Sequence, residues 1–243
     1  MTQSLDWQTE SLRFTFLGCP DTSANLITWS AITGRDADSI TTKKALGTRN
    51  EEGVWEGSHL VVAVQQGRID VTMSPAAPEV NLAAPEFPSM GSLVCVADRL
   101  RDSLVKMRFP KSARLAVGAK VNSFTQSSSD TLEMMKKSLP FLDVEKTCID
   151  VVFQQNKPKK MRPSGIEINR ICKWTQLTMH FLQFMPAEGQ IITNDNSAEV
   201  KYALQLDLDL NTAMTAQLPH QDSYGKIVEG LFAELKNTLA EVS

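Results

Sequence analysis

Residues 201–211 read KYALQLDLDLN, and this stretch decides the fold class. Leucines at positions 204, 206, 208 and 210 alternate with residues that are mostly polar. Successive side chains of a β-strand point to opposite faces of the sheet, so the leucines share one face and the polar residues share the other. The pattern predicts a half-buried strand of an antiparallel sheet, with one face on the core and one face in water.

Similar patterns recur on both sides of this stretch. Gln66 and Gly67 separate two short apolar runs and predict the turn of a β-hairpin. The polar stretch 34–57 shows little periodicity, and we expect an exposed loop there. The further predicted strands are residues 11–17, 60–64, 69–73, 114–124, 148–155, 166–174 and 177–185.

Other segments have helical spacing. Apolar residues recur every three to four positions in 91–107, in 130–139 and most clearly in 222–242. Strands dominate, and they do not alternate regularly with helices, which argues against a doubly wound parallel fold. The chain is therefore predicted to be an α+β protein with a largely antiparallel sheet or sheets, interspersed helices and an amphipathic C-terminal helix.

The length of 243 residues and the hydrophobic content of 42% allow a sizeable core. We expect a single α+β domain over residues 1–243. A proline-rich connection leaves open a two-lobed or duplicated architecture, with lobes at 1–90 and 91–243. A short echo between 61–68 (VVAVQQGR) and 151–157 (VVFQQNK) is one sign of duplication.

Several strand patterns also support a resemblance to known sequences. Segments 114–122 (RLAVGAKVN), 166–174 (IEINRICKW) and 203–211 (ALQLDLDLN), together with the terminal helix, resemble a loosely defined bacterial family. Its members are uncharacterised proteins of similar length that are sporadically distributed among genomes. The resemblance covers the C-terminal half and implies a bacterial or phage origin and an α+β fold. It transfers no site residue.

Charge, cysteine content and hydropathy indicate in which environment the protein works. The net charge of -3 gives no overall field that attracts nucleic acid. The four cysteines are far apart in sequence, which predicts buried free thiols. The N-terminus is polar and no apolar run approaches the roughly 20 residues that span a bilayer. We expect a cytoplasmic protein without a membrane segment and without a cofactor.

The first candidate site is the pair Asp207 and Asp209. At positions i and i+2 of a strand the two carboxylates point to the same face, about 6.5–7 Å apart. Paired carboxylates at this spacing can hold a divalent cation for phosphoryl chemistry. The alternative is that they form the wet face of a half-buried strand, where Arg170 or Lys173 of a neighbouring strand neutralises them.

The second candidate is a basic segment. Cations followed by an aromatic residue, Trp174, can grip a phosphate backbone and stack a base. The alternative is a charged loop whose lysines keep the protein soluble and guard a sheet edge. The basic residues are Lys157, Lys159, Lys160, Arg162, Arg170 and Lys173.

Other signals are weaker. The three histidines, His59, His180 and His220, have no metal-ligand spacing, and we interpret them as structural. Arg68 and Asp70 share one face of a predicted strand and can form an ion pair. No Gly-rich phosphate-binding loop and no G-x-S-x-G motif occurs in the sequence.

Three hypotheses of function follow. The first is a non-catalytic binding or assembly protein, which contacts a protein partner or a second copy in a homodimer. The second is a metal-dependent enzyme acting on nucleic acid, for which Asp207, Asp209 and the basic segment must converge on one face. The third is a small-ligand-binding domain with a pocket lined by Trp29, Trp55 or Trp174. The first is preferred, because no cluster of acid, base or ligand residues supports the others.

Overall fold

The structure, a computed structural model, describes residues 5–20, 26–77, 87–181, 184–187, 190–193 and 199–242. The helices are α1 (Trp29–Thr33), α2 (Leu93–Leu104), α3 (Ser128–Ser138) and α4 (Tyr224–Val242). The strands are β1 (Gln8–Leu17), β2 (Ser39–Lys43), β3 (Thr48–Trp55), β4 (Ser58–Gln65), β5 (Arg68–Pro75), β6 (Arg114–Thr125), β7 (Val152–Asn156), β8 (Lys159–Lys160), β9 (Glu167–Phe181), β10 (Phe184–Ala187), β11 (Gln190–Thr193) and β12 (Glu199–Thr212).

One antiparallel sheet organises the chain. Its order is β2-β3-β4-β5-β1-β6-β12-β9-β7, and β8 also pairs with β9. Strand β12 contains the stretch with alternating leucines, and its Leu208 lies opposite Ala119 of β6 and Cys172 of β9. Strands β10 and β11 form a separate hairpin. The predicted α+β class, the largely antiparallel sheet and the C-terminal helix are confirmed.

The helices pack on one face of this sheet. Leu12, Phe14 and Phe16 of β1 are fully buried there, and the ring of Phe14 stacks on that of Phe232 in α4. Fully burying such a side chain contributes roughly 1.5–3 kcal/mol, so the core between sheet and helices is the main source of stability. No helix in the described ranges is long and apolar enough to cross a membrane.

A β-bulge between Thr9 and Ser11 adjusts β1 to the core. Trp7 and Thr9 are buried before the bulge and Leu12 is buried after it, so the inward positions change from odd to even numbers. The bulge adds one extra residue to β1, so the apolar side chains before and after it still point toward the core although their numbering changes parity. Ser11 therefore lies on the open face, together with the other polar residues of β1.

The prediction of an exposed loop at 34–57 is wrong, because this segment contains β2 and β3. Its alternation is concealed, since Glu51 and Gly53 occupy buried positions that other strands fill with apolar residues. The carboxylate of Glu51 accepts a hydrogen bond from the backbone N–H of Trp29, with Oε2 2.5 Å from N. Pairing with β4, a tertiary effect, makes this polar segment a strand.

The sequence predicts two strands, 166–174 and 177–185, but residues 167–181 form one unbroken strand, β9. Residues 182 and 183 lie outside the described residues, and residues 184 and 185 belong to β10. Gln176, a polar residue at a buried position, interrupts the apolar pattern. Its side-chain amide donates to the backbone carbonyl of Ser128 at 2.9 Å, which satisfies the buried group. The strand predicted at 148–155 begins later, at Val152.

The order of elements repeats in the two halves of the sheet. With β2, β8 and the β10–β11 hairpin left aside, the first half runs β1, α1, β3, β4, β5, α2, and the second runs β6, α3, β7, β9, β12, α4. Outward from the centre the strands lie β1-β5-β4-β3 on one side and β6-β12-β9-β7 on the other. The repeat in element order divides after α2. The sequence echo links β4 to β7, which are not counterparts, so it does not reflect this repeat.

Candidate functional site

The open face of the sheet carries a row of three charged residues near its centre. Lys120 of β6 lies opposite Asp207 of β12, and Asp207 lies opposite Lys173 of β9. Directly opposed residues of an antiparallel pair have Cβ atoms about 4.5–5.5 Å apart. The row thus places one carboxylate between two ammonium groups. In the described part of the chain, none of the three residues forms a salt bridge with another residue.

A depression of about 510 Å³ lies over this row. Its lining includes Ser11, Arg13 and Gln154 as well as the charged row. Gly118 allows the close approach of β12, because a Cβ at this position would lie 3.2 Å from the carbonyl oxygen of Leu208. The same Cβ would lie 3.9 Å from Nη2 of Arg13. The guanidinium of Arg13 therefore extends across the centre of the face.

Asp209 lies beside the row, on the same face as Asp207. Nδ2 of Asn211 donates to Oδ1 of Asp209 at 2.8 Å. Oδ1 of Asn211 in turn accepts hydrogen bonds from Arg114 and Asn169, at 2.5 Å and 3.0 Å. This network fixes the Asn211 amide, which orients the Asp209 carboxylate without neutralising it.

The neighbouring cluster around Asp70 differs because its charges are paired. Arg68 donates two hydrogen bonds to the Asp70 carboxylate, at 2.6 Å and 2.9 Å, which confirms the predicted ion pair. The hydroxyl of Thr15 donates to the same carboxylate at 2.6 Å, and Nε of Arg13 lies 4.0 Å from it. The hydrogen bond to Asp70 raises the pKa of Arg68. The open face thus carries one cluster whose charges are paired, around Asp70, and one row of charges that form no salt bridge in the described chain, Lys120, Asp207 and Lys173.

The pair Asp207 and Asp209 does point to one face, as the alternation predicts. Oxygen-liganded metal sites draw on several ligands. In the described ranges no group of three or more His, Cys, Asp or Glu side chains is placed to hold a metal ion. Lys120 and Lys173 flank Asp207 instead, and their charges oppose the approach of a divalent cation. The donor set fits an ion-pairing surface better than a metal centre.

The structure divides the basic segment between the two faces. Nζ of Lys159 lies 2.8 Å from the carboxylate of Glu234, and Nη1 of Arg170 lies 2.9 Å from that of Glu241. Both carboxylates belong to α4, on the helix-covered face, whereas Lys173 lies on the open face. The remaining members, Lys157, Lys160 and Arg162, are exposed around β8, which occupies part of the expected loop. The six residues therefore do not form one surface.

The aromatic candidates lie inside the protein. Trp29, Trp55 and Trp174 are all buried in the core. The indole N–H of Trp29 donates to the backbone carbonyl of Leu60 at 3.2 Å. Neither base stacking by Trp174 nor an open pocket formed by these indoles is compatible with this placement.

The histidines lie in polar surroundings. His59 is 3.7 Å from Glu52, and His220 is 3.2 Å from Asp222. His180 is exposed on β9. His59 lies on β4, His180 on β9 and His220 in the segment before α4, and none of them lines the depression over the charged row.

The four cysteines are free thiols. Cys19 and Cys172 are buried, as predicted, and burial raises the pKa of Cys172 to about 11. The prediction of burial is wrong for Cys95, which is exposed, and Cys148 is only half-buried. Helical periodicity explains Cys95, because α2 directs Val96 inward and the preceding position outward.

Comparison with protein-family models, with curated proteins and with solved structures finds no match to this chain. The resemblance of the C-terminal half to a bacterial family therefore stays a prediction. Fold and site together define an α+β protein whose sheet is covered by helices on one face and carries a charged row on the other.

Sequence reasoning missed Lys120 and Arg13 as members of the site. Each of the two residues lies between buried apolar neighbours, as Lys120 does between Ala119 and Val121. Strand alternation therefore predicts that their side chains lie on the open face. The sequence pattern does not predict that β6 pairs with β12 or that β1 pairs with β6. Only these pairings bring the two cations to the acidic pair.

Proposed function

We propose that the chain is a non-catalytic binding protein that contacts a partner protein through the open face of its sheet. The observation that carries the proposal is the row Lys120, Asp207, Lys173. These three side chains are half-exposed and unpaired within the described chain, whereas the nearby Asp70 is fully paired. Charged side chains presented together on one face of a sheet favour a partner with complementary charges, which gives specificity and fast association.

The order of charges indicates the chemistry of the partner. A complementary protein surface places carboxylates near Lys120 and Lys173 and a cation near Asp209. Small-molecule sites are mostly apolar and enclose most of the ligand. The depression over the row is lined mostly by charged and polar groups, so it suits polar protein side chains better than a small apolar ligand.

A nucleic-acid-processing enzyme is the main alternative, and the charge distribution opposes it. Asp207 and Asp209 repel phosphates on the face where Lys120 and Lys173 would attract them. Two members of the basic segment are already paired with carboxylates of α4. The net charge of -3 supplies no attraction over longer distances.

Affinity purification from the native cell with quantitative mass spectrometry tests the proposal. The wild type is compared with Lys120→Glu/Lys173→Glu and with the control Lys106→Glu/Lys111→Glu. The control introduces the same charge change at exposed lysines away from the depression. We expect the wild type and the control to recover the same partner protein in stoichiometric amounts. Recovery should fall at least about tenfold for the site variant, which corresponds to 1.4 kcal/mol.

Two outcomes would overturn the proposal. Undiminished recovery of the partner by Lys120→Glu/Lys173→Glu would place the contact elsewhere. Recovery of nucleic acid or a bound divalent metal that is lost on Asp207→Ala would instead support the enzyme. Circular dichroism of each variant verifies that the change in binding does not reflect unfolding.

A further inference from the structure

Strand β7 ends the large sheet, and its outer edge faces no other described strand. The backbone N–H of Lys157 donates to the carbonyl of Arg170, and that of Gln176 donates to the carbonyl of Val151, both at 2.9 Å. Bonded and non-bonded pairs alternate along an antiparallel ladder, so odd-numbered residues bond to β9. The amides and carbonyls that face outward therefore belong to Val152, Gln154 and Asn156.

This edge lacks the usual protection. Exposed edges commonly carry charged residues or proline, which discourage pairing with another strand. Strand β7 reads VFQQN and has neither. Large apolar side chains are exposed beside it: Ile149 is 73%, Phe141 65% and Val152 54% exposed. The ring of Phe141 rests against Phe153 of β7, with centroids 5.4 Å apart, so these apolar groups adjoin the strand.

The charges that flank β7 are self-complementary. Asp150 precedes the strand and Lys157 follows it, and both are exposed. Neither takes part in a salt bridge within the described chain. In an antiparallel pair of two β7 strands centred on Gln154, Val152 lies opposite Asn156 of the second copy. Asp150 then lies near Lys157 of that copy, and the contact occurs twice.

We propose that β7 is a dimerisation edge that pairs with β7 of a second copy of this chain. Such an isologous interface uses the same residues on both copies and closes with two-fold symmetry. It joins the two sheets into one and covers Val152 and its apolar neighbours. The proposal does not rest on the partner-binding function, because the backbone edge of β7 makes the contact and the charged row does not. Gln154, whose side chain lines the depression, contributes to the dimer through its backbone.

The other end of the sheet is the natural comparison. Strand β2 also exposes an apolar residue, Ile40, at 63%. However, β2 contains Lys43, and the carboxylate of the preceding Asp38 is occupied by a hydrogen bond from the backbone N–H of Val54 at 2.9 Å. Of the two described ends of the large sheet, only the β7 edge combines an uncharged strand with unpaired flanking charges of opposite sign.

Sedimentation equilibrium of the full chain over a range of concentrations tests the proposal. We expect a reversible dimer for the wild type and for the control Ile40→Lys, and a monomer for Val152→Lys. Gln154→Pro serves as a second variant, because it removes an outward N–H without removing a bond to β9. A wild type that stays monomeric at every concentration would overturn the proposal. So would a dimer lost in Ile40→Lys and kept in Val152→Lys.

A double-mutant cycle tests the antiparallel register. Asp150 has φ 56°, a left-handed conformation that asparagine tolerates, so Asp150→Asn removes the charge without straining the backbone. We expect Asp150→Asn and Lys157→Gln each to weaken the dimer by up to about 25-fold, because each variant removes both symmetry-related ion pairs and one exposed pair accounts for at most about fivefold. The double variant should be no weaker than the single ones, because both remove the same contacts. Additive losses would exclude this register.

Discussion

Nζ of Lys236 in α4 lies 2.6 Å from Oδ1 of Asp98 in α2. These helices close the two halves of the repeated topology, so this contact ties one half of the chain to the other. Arg101 donates to the same carboxylate oxygen at 2.6 Å. The hydrogen bond from Lys236 lowers the pKa of Asp98, and the positive charges of Lys236 and Arg101 lower it further.

Replacement of Asp98 by asparagine should make the free energy of unfolding less dependent on pH in the acidic range. A carboxyl whose folded pKa is depressed stabilises the native state above its unfolded pKa of about 3.9, and the stabilisation is lost as the pH falls through the folded pKa. The carboxylate is 36% exposed, so Asp98→Asn should cost only about 0.2–1 kcal/mol at pH 7. Urea unfolding at pH 7 and at progressively lower pH measures this difference, which should shrink on acidification. An equal difference at every pH would rule out the ionic contribution.

The stacked pair Phe14 and Phe232 should be a major source of stability. Both rings are fully buried, with centroids 5.8 Å apart. Phe232→Ala removes the contact between β1 and α4 and leaves a cavity, which should cost about 3–5 kcal/mol in the free energy of unfolding. The control Phe141→Ala changes a ring that is 65% exposed, and it should cost at most about 1.5 kcal/mol. Similar losses in chemical denaturation of the two variants would refute this assignment of the core.

The thiols should differ in reactivity. Thiolate is the reactive species, and burial raises the pKa of Cys172 to about 11, so about one Cys172 in a thousand is ionised at pH 8. Burial also raises the pKa of Cys19. We expect maleimide to label the exposed Cys95 first, while Cys19 and Cys172 react only after denaturation. Peptide mass spectrometry after timed labelling measures the order. Equal rates for Cys95 and Cys172 in the native protein would show that Cys172 is accessible.

Gly230 of α4 accommodates the buried Met161, and a double-mutant cycle can demonstrate this. A Cβ at position 230 would lie 2.5 Å from Sδ of Met161. Gly230→Ala gains about 1 kcal/mol in helix propensity, but it displaces a side chain whose burial contributes about 1.5–3 kcal/mol. We expect net destabilisation in the wild type and stabilisation in a Met161→Ala background. Thermal and urea unfolding of the four proteins measure both signs, and the same sign in both backgrounds would disprove the contact.

Parts of the candidate site were predictable from single strands. The alternation around Asp207 and Asp209 placed both carboxylates on a wet face, and the same rule applies to Lys173. The partition of the basic segment was not predictable. Lys159 and Arg170 contact Glu234 and Glu241 only because α4, which packs on β6 and β12, brings these carboxylates to the two cations. No spacing within residues 157–173 encodes that helix.

The amino-acid sequence by itself determined the α+β class, the strands with clear alternation, the turn at Gln66–Gly67 and the amphipathic helix α4. These features depend on side-chain periodicity within about ten residues, which local geometry converts directly into a buried face. The tertiary structure decided the rest. Pairing with β4 made strands of the polar segment 34–57, and pairing of β6 and β9 with β12 assembled the charged row. Such contacts join residues that are distant in the chain, and their free energy is realised only when the whole sheet forms.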